Sequence, residues 1–156
     1  MPHTRLQPLV RRIIEGITNT FENGTPEYAY GKCEHLDDGR GYTCGRIGFT
    51  TGTGDALWVV EKYVQQRTNA SLAQYLPELR RLAALPSCDT TGKENIQQLQ
   101  GLPAAWAAAD REDAALFRRV QDSINEEHYL VPALKFAHKY GVVTPLGQAI
   151  FYDTVV

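Results

Sequence analysis

The sequence predicts a mostly helical α+β fold with one small β region between the first two helices. Three observations carry that prediction. Leu6, Leu9, Val10, Ile13, Ile14, Ile17 and Phe21 recur at steps of three and four residues, the mark of an amphipathic helix. Residues 28–49 are rich in Gly, Tyr and Thr and alternate over short distances, as small strands joined by tight turns do. Helical spacing then resumes and dominates to the last residue.

Helix one stops at Asn23-Gly24, which leaves Glu22 in its last turn beside Phe21, on the face expected to meet the core. Thr53-Gly54-Asp55 reads as the next helix start, with Leu57, Val60, Glu61 and Val64 following at helical spacing and Asp55 in the first turn, where the helix dipole favours an acid. Residues 71–85 form a further helix that Ser71 would cap and Pro77 would kink or bound. Residues 86–100 are polar and read as a surface loop. Residues 103–140 read as helix with a break near Pro132, and residues 145–155 as a final apolar-rich helix. There is no internal repeat and no low-complexity tract.

A chain of 156 residues fits one domain with a real hydrophobic core. A net charge of −2 leaves no basic footprint for nucleic acid. No apolar run is long enough to span a bilayer, and MPHTRLQPLVRRII lacks the continuous apolar stretch of a secretory leader, which fits an intracellular protein or a mature secreted one alike. The three cysteines have no CxxC spacing, which argues against structural zinc, and no other metal or cofactor is called for. Cys44 sits in an alternating stretch and reads as a small buried residue. Cys33 and Cys88 lie in expected loops and are the pair to join in an oxidising compartment; three reduced thiols are the other reading.

The most informative stretch is HLDDGRGYTCGRIGFTTGTGD, residues 35–55. It is no P-loop, because the GxxxxGK signature is missing, and no dinucleotide fingerprint, because the third glycine position is Cys44 and no hydrophobic strand precedes it. Two readings remain. The glycines serve only tight turns and the acids are solvated, or the glycines let the backbone approach an extended ligand while a turn presents Asp38. The second needs another acid, and Glu22 is the candidate. A carboxyl pair on a helix end and a β turn is the layout of glycoside hydrolysis. Burial against Phe21 and the negative end of the helix would favour the protonated form of Glu22, while Arg40 would favour the ionised form of Asp38, so that Glu22 donates a proton and Asp38 activates water. Asp37, Asp38, Asp55 and Glu34 would together draw a cationic polymer.

DDGRGYTCGRIGFTTGTGD closely resembles the signature of the chitosanases of glycoside hydrolase family 46, in the lysozyme-like superfamily. FEN at 21–23 is similar to the family's acid-bearing segment, QYLPELRRL at 74–82 to one of its helices, and LGQAIFYDTVV at 146–156 to another, all in the same order. The resemblance implies a lysozyme-like fold and an endo-acting, inverting, secreted hydrolase of chitosan that needs no cofactor. By position Glu22 matches the general acid and Asp38 the general base. Arg40 and Thr43 flank that base, with Thr43 holding the attacking water. Asp55, Tyr30 and Asp37 are the expected substrate contacts. Asp153 matches a buried acid that arginines further along the family sequence would engage. A non-catalytic chitosan-binding protein of the same fold is the rival reading, and a muramidase-type lysozyme relative a third, which the DGRGYT block disfavours. The last helix ends on Val155-Val156 with an apolar face, so the sequence leads us to expect a second lobe, a second chain or another copy over it.

Overall fold

A computed structural model describes residues 6–156 of the protein. The first five residues, part of the segment read above for a leader, lie outside the described residues. Among the described residues, eight α-helices and three short strands follow one another as α1 (Pro8–Asn23), β1 (Cys33–His35), β2 (Tyr42–Cys44), β3 (Phe49–Thr50), α2 (Asp55–Gln66), α3 (Leu76–Ala83), α4 (Thr90–Glu94), α5 (Leu102–Glu112), α6 (Ala114–Asn125), α7 (Val131–Lys139) and α8 (Pro145–Val155). The strands form one antiparallel sheet in the order β1-β2-β3. The chain divides into two compact units, residues 29–121 and residues 1–28 with 122–156. No helix is long and apolar enough to cross a membrane among the described residues.

In the unit of residues 29–121, large apolar side chains are buried together. The Trp106 and Phe117 rings meet edge-on at 5.1 Å, Tyr63 meets Phe117 at 5.0 Å, and Phe49, Val59, Leu72, Leu79, Leu82, Leu99 and Leu102 are fully buried. The sheet register sets Cys33 opposite Cys44, Glu34 opposite Thr43 and His35 opposite Tyr42. That pairing joins Cys33 to Cys44 in a disulfide and leaves Cys88 exposed and free. The expected Cys33–Cys88 pairing is therefore corrected, because the directly facing strand position, and not a distant loop, supplies the partner. Residues 71–85 are two elements: a 3-10 turn at Ser71–Tyr75, then α3, in which Pro77 takes a first-turn position that needs no N–H donor. The stretch 86–100 is not merely a polar loop. Asp89 accepts a 2.8 Å hydrogen bond from Gly92 N and so caps α4, and a 3-10 turn at Gln97–Leu99 buries Leu99.

The other unit is built from α1, the end of α6, a π-turn at Glu126–Leu130, α7 and α8. The helix break expected near Pro132 falls instead at Asp113, and Pro132 sits in the first turn of α7, after the wide turn at 126–130. The apolar core holds Ile14, Leu130, Ala133, Leu134 and Tyr152, with Leu6, Val10 and Ala149 packed against it. The face of α1 differs from expectation. Leu9, Ile13 and Ile17 are exposed and Phe21 is 80% exposed, while Glu15, Thr18 and Asn19 are buried. Glu15 and Asn19 have partners outside α1, one of them far along the chain. Glu15 receives hydrogen bonds from Arg11 Nε (3.1 Å), Tyr28 Oη (2.9 Å) and Asn125 Nδ2 (3.3 Å), and Tyr152 Oη donates to Asn125 Oδ1 at 2.9 Å. Asn19 Nδ2 donates to the carbonyls of Thr25 and Glu27. Satisfied groups of this kind can be buried at little cost, and they set which side of the helix faces inward.

Candidate functional site

The 36–41 turn joins β1 to β2, so the hairpin itself decides where Asp38 stands. Asp37 adopts a left-handed backbone with φ 55°, uncommon for any residue but glycine. Asp38 then folds back on Arg40. Arg40 Nε donates to Asp38 Oδ2 at 2.9 Å, Arg40 Nη2 to the same oxygen at 2.6 Å, and the Arg40 backbone N–H to Oδ1 at 3.1 Å. The Arg40 guanidinium holds the Asp38 carboxyl below its ordinary value, outweighing partial burial. The ionised form expected of Asp38 thus has its physical cause in place.

The glycines around this turn have a use beyond ligand approach. A Cβ on Gly39 would come 3.1 Å from Thr90 Cβ, and one on Gly41 would come 3.0 Å from the Lys93 carbonyl oxygen; both glycines also have positive φ, 82° and 73°. They admit α4 against the turn. From α4, Glu94 accepts a 2.9 Å hydrogen bond from the Gly41 backbone N–H and is hydrogen-bonded to His35 Nε2. Lys93, buried on the same short helix, donates through Nζ to the Gly52 carbonyl at 2.5 Å. Gly52 N donates to the Arg40 carbonyl at 2.9 Å, and Thr51 N to that of Tyr42 at 2.9 Å, so the 50–54 segment is tied to the base of the Asp38 turn. Sequence reasoning missed His35, Lys93 and Glu94. The available signal was Asp89, a helix-capping residue three positions before Gly92 inside a stretch read as loop.

Thr43 lies on β2, and its Oγ1 is buried without a hydrogen-bond partner among the described residues. Asp55, only 8% exposed, closes the turn into α2: its Oδ1 accepts from Thr50 N (2.6 Å), Thr53 Oγ1 (2.9 Å) and Ala56 N (2.9 Å). Tyr30 anchors the segment before β1. Its carbonyl accepts from Trp106 Nε1 (2.8 Å) and Gln121 Nε2 (3.0 Å), and the guanidinium carbons of Arg118 and Arg46 lie 5.3 and 5.9 Å from its ring centroid. Glu34 is paired with Lys32 at 2.6 Å. Asp37, Asp38, Arg40, Thr43, Asp55 and Tyr30 all belong to residues 29–121, whereas Glu22 belongs to the other unit.

Glu22 is exposed near the end of α1, which Gly24 terminates with φ 73° and a hydrogen bond from its N–H to the Thr20 carbonyl. With Phe21 so exposed, the expected burial of Glu22 against that ring is not found; the position at the helix end remains. Asp153 is exposed on α8, not buried as the resemblance implied, because Gln148 and Tyr152 are the buried positions of that helix.

His35, Asp37 and Glu94 each bring a ligand atom within 4.8 Å of the others, a set that could hold a metal ion. Hydrogen bonds already occupy both Glu94 oxygens, which accounts for the cluster without a cation.

Comparison with known proteins agrees with this architecture. The chain is 50% identical over 148 residues to the chitosanase of Bacillus subtilis (strain 168), a match that covers 94% of this chain and 50% of the relative. The native chitosanase of Bacillus subtilis MY002 superposes with a TM-score of 0.87 at 46% identity, over 97% of this chain and 59% of that one. The Gynuella sunshinyii GH46 chitosanase, solved in complex with chitotetraose, superposes with a TM-score of 0.87 at 41% identity, over 96% of this chain and 58% of that one. The chain spans about half the length of the curated relatives it matches. The sequence model of glycosyl hydrolase family 46 matches residues 16–156, and with its helical, lysozyme-like fold and small three-stranded sheet the chain belongs to that family.

Proposed function

We propose that the protein is an endo-acting chitosanase that cleaves β-1,4 linkages with inversion. The observation that carries this reading is the Asp38–Arg40 pair on its glycine-framed turn, in a chain half identical to a chitosanase. An ionised Asp38 takes a proton from water as the water oxygen bonds to the anomeric carbon. Glu22 gives its proton to the departing glycosidic oxygen, so that one bond forms, one breaks and the proton count balances. Thr43, whose buried hydroxyl lacks a partner among the described residues, holds that water. Arg40 keeps Asp38 ionised and aimed. Asp37, Asp55 and Tyr30 bind glucosamine units, Asp37 directly and Asp55 chiefly by fixing the 50–56 turn. Family relatives crystallised with chitotetraose and with 6 GlcN support a glucosamine oligomer as ligand. Secretion fits the Cys33–Cys44 disulfide, which persists in an oxidising compartment.

Residues 1–156 are proposed to act as one catalytic domain. The second reading is a chitosan-binding protein without turnover. A reducing-sugar assay on soluble chitosan separates the two. New reducing ends that Asp38→Asn and Glu22→Gln each remove support the hydrolase. Binding without new reducing ends supports the rival.

We also propose that the exposed apolar face of α1 and α8, which forms a groove of about 220 Å³ lined by Val10, Ile13, Ile14, Ile17, Leu146 and Ala149, is covered by apolar polypeptide. Light scattering that shows a monomer at every concentration, with no bound polypeptide by intact mass, would contradict it.

A further inference from the structure

Glu94 is a carboxylate near the Asp38 turn for which neither the sequence motif nor the proposed mechanism has a use. It comes from α4, more than fifty residues further along the chain, and each of its oxygens holds a different flank of the turn. One is hydrogen-bonded to His35 Nε2 at the end of β1, and the other accepts the Gly41 backbone N–H at 2.9 Å at the start of β2. The residues between these two anchors are 36–40, the segment that carries Asp37, Asp38 and Arg40. Around the carboxylate stand His35 from β1, Asp37, Asp38 and Arg40 from the turn, and Lys93 from α4, whose ammonium is directed to the Gly52 carbonyl. Burial raises the Glu94 carboxyl, but the hydrogen bonds from Gly41 and His35 outweigh it and hold the group below its ordinary value.

We propose that Glu94 is a positioning residue: it clamps His35 and the Gly41 amide together and thereby fixes the turn that aims Asp38. This rests on the reading of Asp38 as general base. Asp37 sits in a left-handed conformation, Gly39 and Gly41 offer no side chains, and the Asp38–Arg40 pair lies within the turn. Gly52 N and Thr51 N fix the Arg40 and Tyr42 carbonyls on the other side, and Glu94 completes the frame. A base displaced by a fraction of an ångström loses its alignment with the attacked water, and misplacement of about 1 Å can cost 10²-fold in rate.

The test has two arms. In the first, the Gly41 amide proton of the full chain is followed by NMR between pH 7 and pH 2.5. The clamp predicts a resonance shifted downfield by the carboxylate that moves upfield as Glu94 protonates, with a midpoint below the ordinary glutamate value, and this step vanishes in Glu94→Gln. A Gly41 resonance that does not titrate, or that titrates alike in Glu94→Gln, overturns the clamp. In the second arm, Glu94→Ala is expected to lower kcat by roughly 10–100-fold with KM changed much less. Glu94→Gln is expected to restore most of the rate, because its amide oxygen still accepts from Gly41 and its amide N–H can donate to neutral His35. Glu94→Ala with kcat of the parent protein overturns the proposal. Asp38→Asn measured beside them tells the two readings apart. Turnover retained in Asp38→Asn defeats the assignment of the base, whereas turnover lost in Asp38→Asn but kept in Glu94→Ala defeats the clamp alone. Should Glu94→Ala fail to fold, the NMR arm on the parent protein and Glu94→Gln decides the matter.

Discussion

In residues 29–121, most large apolar side chains are buried, Leu36 and Trp58 being exposed, and the polar groups among them serve turns: Asp55 closes the start of α2, Gln121 receives Arg46 N and holds Tyr30, and Lys93 ties down Gly52. In the unit of residues 1–28 and 122–156, the order is partly reversed. Glu15 and Asn125 are buried within a hydrogen-bonded network, while Leu9, Ile13, Ile17, Leu146 and Ile150 face outward. One unit thus buries most of its large apolar side chains, and the other leaves more of them facing solvent.

Five substitutions test that contrast, in descending order of effect. Asp38→Asn should lower turnover by about 10²–10⁴-fold with an unchanged melting temperature, since it removes an acid–base group and keeps the shape. Glu22→Gln should do the same from the other unit. Loss of activity accompanied by loss of fold would mean that Asp38 belongs to the frame and not to the chemistry. Phe117→Ala should cost about 3–5 kcal/mol by denaturant unfolding, because Phe117 lies between Tyr63 and Trp106 at zero exposure. Glu15→Ala should cost about 1–3 kcal/mol by leaving Asn125 and Tyr28 short of an acceptor. Ile13→Ser should change stability by less than about 0.5 kcal/mol while reducing any association of the chain. A large stability loss for Ile13→Ser in the isolated chain would erase the contrast.

A pH profile sharpens the active half of it. Arg40 lowers the Asp38 pKa, and a general base works only when ionised, so activity should persist below the ordinary aspartate range and fall as the pH passes through the lowered value. Arg40→Leu should move that acid limb of kcat/KM to higher pH. No movement would mean that a different group sets the limb.

The parts of this molecule that were legible in its sequence are the local ones. Asp38 and Arg40 are two residues apart, so their pairing needed only the turn that the glycines announce. The α2 start at Asp55 and the α1 stop at Gly24 follow from neighbouring residues in the same way. What stayed hidden depends on distant partners. The face that α1 buries is decided by Asn125 and Tyr28, which can satisfy Glu15 only once the chain has folded, with Tyr152 holding Asn125 in turn. Cys33 found Cys44 through strand register, which a disulfide guess based on loops overlooked. Glu94 reaches Gly41 across 53 residues, from a helix too short to show a period.

If Asp38 activates water for inverting cleavage, the anomer of the first product must be the inverted one. Proton NMR of a glucosamine hexamer, recorded within the first minutes of reaction with the 156-residue chain, should show the α-anomer appearing first and the β-anomer growing only by mutarotation, with neither formed by Asp38→Asn. Prompt appearance of the β-anomer, or α-product from Asp38→Asn at the parent rate, would contradict the account.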